Sequence, residues 1–163
     1  MKPILILIVA LILIGIAWRS VARGAQEPPP LAISDDDPEM KAAMKKAKET
    51  ISEFRQLYKE HPNGAMVKIA FVTSSGRTEY LGADVLELGE KDIKVRITTP
   101  PVSHKGKLES LQSFPIEKVV DWVIVMPGDK RKGGFTMRVM FKKAREQWGK
   151  LPPDVAAEEK KYE

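Results

Sequence analysis

The 163-residue chain has no cysteine. That one omission removes disulfides, thiolate metal sites, cysteine nucleophiles and lipid attachment through an N-terminal cysteine. Histidine is almost missing: His61 and His104 stand far apart, in no spacing that builds a zinc site, and both are assigned to turns or surface. The patterns GxxxxGK(S/T) and GxGxxG do not occur, so Gly133-Gly134 reads as backbone freedom where a hairpin enters a strand, not as a phosphate loop. Ser74-Ser75-Gly76 lacks the flanks of a nucleophile elbow and reads as a plain turn. No base is paired with a nucleophile, and neither a cofactor nor a metal is predicted.

Long apolar runs are also scarce, which makes residues 4–18, behind Lys2, conspicuous. A basic start followed by such a run is a signal peptide or a membrane anchor, and either sends the remainder across a membrane. Fifteen helical residues reach about 22 Å against a hydrocarbon core of about 30 Å, and Ser20-Val21-Ala22 offers a cleavage site after Ala22. Trp18-Arg19 instead suits the interfacial end of an uncleaved helix, the reading preferred here. The expected location is therefore the bacterial inner membrane, single-pass with the domain outside the cytoplasm, or periplasmic or secreted if cleavage occurs. Residues 24–34, with Pro28-Pro29-Pro30, form a spacer of partly polyproline character.

Of the net charge of +5, little is spread evenly. Residues 128–150 hold eight bases against two acids. Lys130, Arg131, Lys132, Lys142, Lys143 and Arg145 form a candidate patch for anionic headgroups or nucleic acid. No interleaved aromatic platform accompanies it, so a solvated turn and helix face is the stronger reading, and nucleic acid is disfavoured.

Asp37, Pro38 and Glu39 begin a helix as a cap, a first-turn proline and an acid at the positive end of the dipole. Met40, Ala43, Met44, Ala47, Ile51, Phe54, Leu57 and Tyr58 then recur at three-and-four spacing. They predict one long amphipathic helix packed on its own domain and ended near His61-Pro62. Past Gly64 the period becomes two. Strands are expected over 66–73, with Lys68 pointing away from the core, over 78–88, with a bulge or close approach at Gly82, and over 93–97. Residues 108–116 are ambiguous, and Pro115 argues against a central strand.

Residues 119–141 are read as the last hairpin. Pairing Met126 with Phe135 gives one wholly apolar face through Trp122 and brings Asp121 diagonal to Arg138. Asp121, Arg138 and Thr136, with Glu79, are the candidate site: a ligand-binding group, or an ion pair that fixes register. Residues 142–148 are taken as a short basic helix and 151–163 as a disordered tail.

Asp37-Pro38-Glu39-Met40, Val67-Lys68-Ile69-Ala70-Phe71, Asp121-Trp122 and Gly133-Gly134-Phe135-Thr136-Met137-Arg138 together resemble the YegJ-like family of uncharacterised bacterial domains, over residues 35–140. Where that family usually carries Glu-His-Met-Trp, this chain has Glu79-Tyr80-Leu81-Gly82, so a role resting on that His or Trp does not carry over. The resemblance implies an exported domain and no particular activity. The expected fold is α+β, one long helix on a curved antiparallel sheet of about five strands. The expected function is a non-enzymatic binding or interaction domain at the cell envelope, with an envelope protein as partner. A hydrolase-like enzyme using Asp121 or Glu79, and an anionic-surface binder using the basic patch, are the alternatives.

Overall fold

The computed structural model describes residues 31, 33–34, 36–72, 76, 78–99 and 110–162. The N-terminal apolar run, residues 24–30 of the proline-rich spacer, Ser74-Ser75 and His104 lie outside them, whereas Leu31 and Ile33, read as part of that spacer, are buried against the domain. Among the described residues no helix is long and apolar enough to cross a membrane.

The architecture is α+β. Helices α1 (Pro38–Glu49) and α2 (Ile51–Glu60) are followed by strands β1 (Ala65–Val72), β2 (Thr78–Leu88), β3 (Asp92–Ile97), β4 (Leu111–Pro115), β5 (Val119–Met126) and β6 (Lys130–Gly133). Helices α3 (Phe135–Trp148) and α4 (Pro153–Glu159) close the order. The sheet has six antiparallel strands, ordered β4-β3-β2-β1-β5-β6. That is one more than the expected five. Pro115, which cannot donate to a ladder, sits at the end of β4, and β4 is an edge strand.

The expected long helix is two. Asp37 caps α1 by accepting from the Glu39 and Met40 amides at 2.9 and 3.0 Å. The helix then breaks at Thr50 (φ −103°, ψ 17°). Trp122 is what meets the break: its indole N–H donates to the Ala47 carbonyl and to Thr50 Oγ1, each at 3.2 Å. The apolar stripe does pack on its own domain. Ala47 and Phe54 join Ile69, Leu81, Ile93, Val95, Ile97, Trp122 and Ile124 in the principal core. Trp122 stacks on Phe54 with ring centroids 5.4 Å apart.

The last hairpin departs from expectation in register and in kind. Met126 pairs with Lys130 and Val123 with Gly133, so the chain reverses five residues sooner than a Met126–Phe135 pairing requires. The turn over Pro127–Asp129 makes this possible, with Gly128 and Asp129 both at positive φ (75° and 62°). Residues 135–141 are helix, not strand. They belong to α3, which continues through the segment read as a separate basic helix. Met137, Met140, Phe141 and Ala144 bury against Met40 of α1 and Val155 of α4 in a second core. Residues 153–159, assigned to a disordered tail, form α4. The ladder irregularity in β2 falls between Val85 and Glu87 rather than at Gly82.

Candidate functional site

The first turn of α3 grips β5 from both sides. Phe135 meets Trp122 edge-on at 5.7 Å, while Thr136 meets Asp121. Two glycines allow this approach. Gly134, at φ 64°, donates its amide to the Trp122 carbonyl at 2.7 Å, and Gly133 stands at φ 81° where a Cβ would lie 2.1 Å from the same oxygen. The pair does open a helix, contrary to the strand expected after it. The anion such a helix start favours is supplied by the chain itself. Asp121 accepts the Phe135 amide on Oδ1 at 3.1 Å and the Thr136 amide on Oδ2 at 2.8 Å. It also accepts its neighbour's Trp122 amide at 2.9 Å and the Thr136 hydroxyl at 2.5 Å.

Thr136 passes the network on. Its Oγ1 accepts from Lys68 Nζ at 2.7 Å, and the same ammonium lies 3.9 Å from Met140 Sδ. In the sheet Lys68 stands opposite Gly82 on one side and Asp121 on the other. It was expected to point away from the principal core, and it does. That second face, however, is covered near α3. Lys68 is 8% exposed, Asp121 2% and Thr136 0%. Burial pushes the Lys68 ammonium below the usual lysine range, and the Asp121 charge opposes that shift.

Asp121 and Thr136 thus meet through the first turn of α3 and not across a hairpin face, and Arg138 does not join them. It is exposed, donates to the Gly133 carbonyl at 3.1 Å and lies 5.8 Å from the Phe135 ring centre. In a helix its side chain leaves the register position that a strand would give it. Glu79 is also elsewhere: it faces Phe71 across the β1–β2 ladder, and strand alternation puts it on the opposite sheet face from Gly82. Lys68 was the missed member. Its signal was a strand whose outward positions, Met66, Ala70 and Val72, are apolar too, which marks a strand with both faces wanting cover.

The basic patch is dispersed into ion pairs. Arg131 is 2% exposed and lies 2.6 Å from Asp129. Lys142 pairs with Glu39, Lys143 with Asp37 and Glu39, each at 3.0 Å, and Arg145 with Glu159. Those carboxylates hold the Lys143 ammonium well above the usual lysine range. Lys130 is exposed and Lys132 half-buried on β6. His61 follows α2 as its cap, as the turn assignment expected.

A cleft of about 270 Å³ opens at another place, lined by Tyr58, Asn63, Asp84, Leu86 and Arg96 among others, and over neither Asp121 nor Arg138. Among the described residues no group of His, Asp and Glu is arranged to hold a metal. Chemically, the Lys68–Thr136–Asp121 chain is a hydroxyl held between an ammonium and a carboxylate, sealed from solvent and anchoring α3 to the sheet.

One family model, described as an uncharacterized protein conserved in bacteria (DUF2314), matches residues 37–150. No curated protein and no solved structure matches the chain. The matched stretch contains the whole sheet, α1 to α3, and all three residues of the buried network. The chain belongs to the DUF2314 family of uncharacterized proteins conserved in bacteria.

Proposed function

We propose that this chain is a non-enzymatic binding or interaction domain working at the bacterial cell envelope. The observation that carries the reading is the enclosure of its chemical groups. Lys68, Thr136 and Asp121 are buried, and the Asp121 oxygens are occupied by four donors of the chain itself. A hydrolytic base must reach the proton it abstracts within hydrogen-bonding distance. Asp121 spends that reach on capping α3, which favours a structural role for it. Likewise the dispersal of the basic patch into ion pairs favours protein contact over adsorption to an anionic surface. The envelope location rests on the apolar run of residues 4–18 and its proline-rich spacer.

A pulldown from membranes with the full chain as bait, against bait carrying the N-terminal segment alone, tests the reading. A defined partner enriched only by the full chain is the expected result. Repeated lack of enrichment overturns it. So does an Asp121→Asn variant that keeps its melting temperature and loses a measurable activity.

A further inference from the structure

The family match ends at residue 150, but the ordered chain continues and folds back on the family domain. After Gly149, at φ 77°, and Pro152, helix α4 leads to Tyr162, which makes a parallel bridge to Arg131 on the outer edge of β6. The Arg131 amide donates to the Lys161 carbonyl at 2.7 Å. The Tyr162 ring lies on Gly134, where a Cβ would come within 2.3 Å of it, and meets Phe141 edge-on at 5.4 Å. Glu158 faces Arg131 Nε at 3.5 Å, and Lys161 reaches Asp129 and Glu158 at 2.8 and 2.9 Å.

Two features separate this closure from the rest of the core. Its apolar anchors are few, Val155 and Tyr162, with the remaining contacts mostly partly exposed ion pairs. Its fit is also imperfect, since the buried Arg131 Nε has no hydrogen-bond partner. Meanwhile the receiving surface lies wholly within the family domain: a strand edge, a guanidinium whose Nη1 is held by Asp129 and whose Nε is left without a hydrogen bond, and a side-chain-free platform for an aromatic ring.

We propose that the β6 edge, Arg131 and Gly134 form a peptide-accepting groove that residues 153–162 occupy in cis, and that a partner segment bearing a glutamate four residues before a tyrosine binds by displacing them. This rests on the reading of the chain as an interaction domain and gives that domain its ligand chemistry. Recognition joins one main-chain bond to the β6 edge, from the Arg131 amide, with a carboxylate and an aromatic ring that set specificity. A tethered occupant acts at an effective concentration of about 1 mM, so an external segment competes poorly until the cis segment is weakened.

The test uses the full chain, with and without Glu158→Ala plus Tyr162→Ala, and a fluorescent synthetic peptide carrying the sequence of residues 152–162. Neither substitution alters the receiving surface. The doubly substituted chain should bind at least tenfold more tightly than the wild type, and a peptide with alanine in place of its tyrosine should bind at least tenfold more weakly. Amide exchange at Arg131 should quicken in the variant and slow again with peptide. Equal affinities, no binding by a variant whose circular dichroism is native, or an Arg131 amide equally protected in both chains would each overturn the groove. A partner captured from membranes equally well by both chains would leave the interaction reading standing and remove this one.

Discussion

At the scale of single residues, the energetics turn on what Lys68 and Asp121 each would lose alone. Taking an ammonium out of water costs several kcal/mol, and here the return comes through Thr136 rather than through a direct contact. Asp121 has more at stake, because its four donors include two amides at the start of α3. Asp121→Ala leaves those amides uncapped and Lys68 uncompensated, and should cost about 3–5 kcal/mol in urea unfolding. Lys68→Met keeps the stem's volume and all four bonds to Asp121, so it should stay within about 1 kcal/mol of the parent. Asp121→Ala should then cost less in the Lys68→Met background, since part of its penalty is the stranded ammonium. Identical costs in both backgrounds would show that the two charges do not communicate. Lys68 also sets a sign for pH: its folded value lies below the ordinary one, so the unfolded chain holds that proton more firmly. Its contribution to stability therefore rises with pH toward the ordinary lysine range, and Lys68→Met should remove that slope.

At the scale of elements, Gly133 and Gly128 separate backbone conformation from space. Both have positive φ, 81° and 75°, but a Cβ on Gly128 meets nothing within 4 Å while one on Gly133 meets the Trp122 carbonyl and ring at 2.1 and 2.6 Å. Gly128→Ala should cost about 1–2 kcal/mol, the left-handed penalty alone. Gly133→Ala adds a backbone collision that can be relieved only by moving the end of β6 off β5, and should cost more than about 4 kcal/mol. Comparable midpoints in thermal unfolding would contradict the close approach. The same junction explains what could be read in advance. Strands β1 and β3, the stripe of α1 and α2, the Asp37 cap and the edge position of Pro115 follow from local period and turn chemistry, which act within a few residues. Residues 135–141 satisfied a strand's period through Phe135, Met137, Val139 and Phe141. They also satisfied a helix's through Met137, Met140, Phe141 and Ala144, and only a window reaching Trp148 distinguishes the two. Asp121 stood out as the one acid in an apolar strand, but its contact with Thr136 did not follow from the expected register, because it depends on residues 135–141 being helix. Lys68 was not, because its burial depends on α3 crossing from a distant part of the chain.

At the scale of the whole molecule, charge acts as a fastening between elements that the sheet does not unite. Lys142 and Lys143 of α3 hold Glu39 and Asp37 at the start of α1, and Asp129 in the β5–β6 turn holds Lys161 and Arg131 beside α4. The Met40 amide and the Lys143 ammonium hold the Asp37 carboxyl below the ordinary aspartate range. Lys142 does the same for Glu39, and Lys161 with Arg131 for Asp129. These carboxyls therefore release protons in the folded chain at a pH where the unfolded chain still binds them. Their stabilisation is complete above the ordinary carboxylate values of about 4–4.5 and fades as pH falls through the lower folded ones. The urea midpoint should accordingly hold level from pH 7 to about 5 and then decline toward pH 3. Added salt near 1 M, where the screening length shrinks to about 3 Å, should lower the plateau while flattening the decline. Replacing Lys142 and Lys143 together by alanine should reproduce the salt effect at low ionic strength, because it removes the cations that depress Glu39 and Asp37. A double variant whose midpoint still falls between pH 5 and pH 3 as steeply as the parent's would place the acid sensitivity elsewhere, with Asp129 and its partner Lys161 the next pair to substitute.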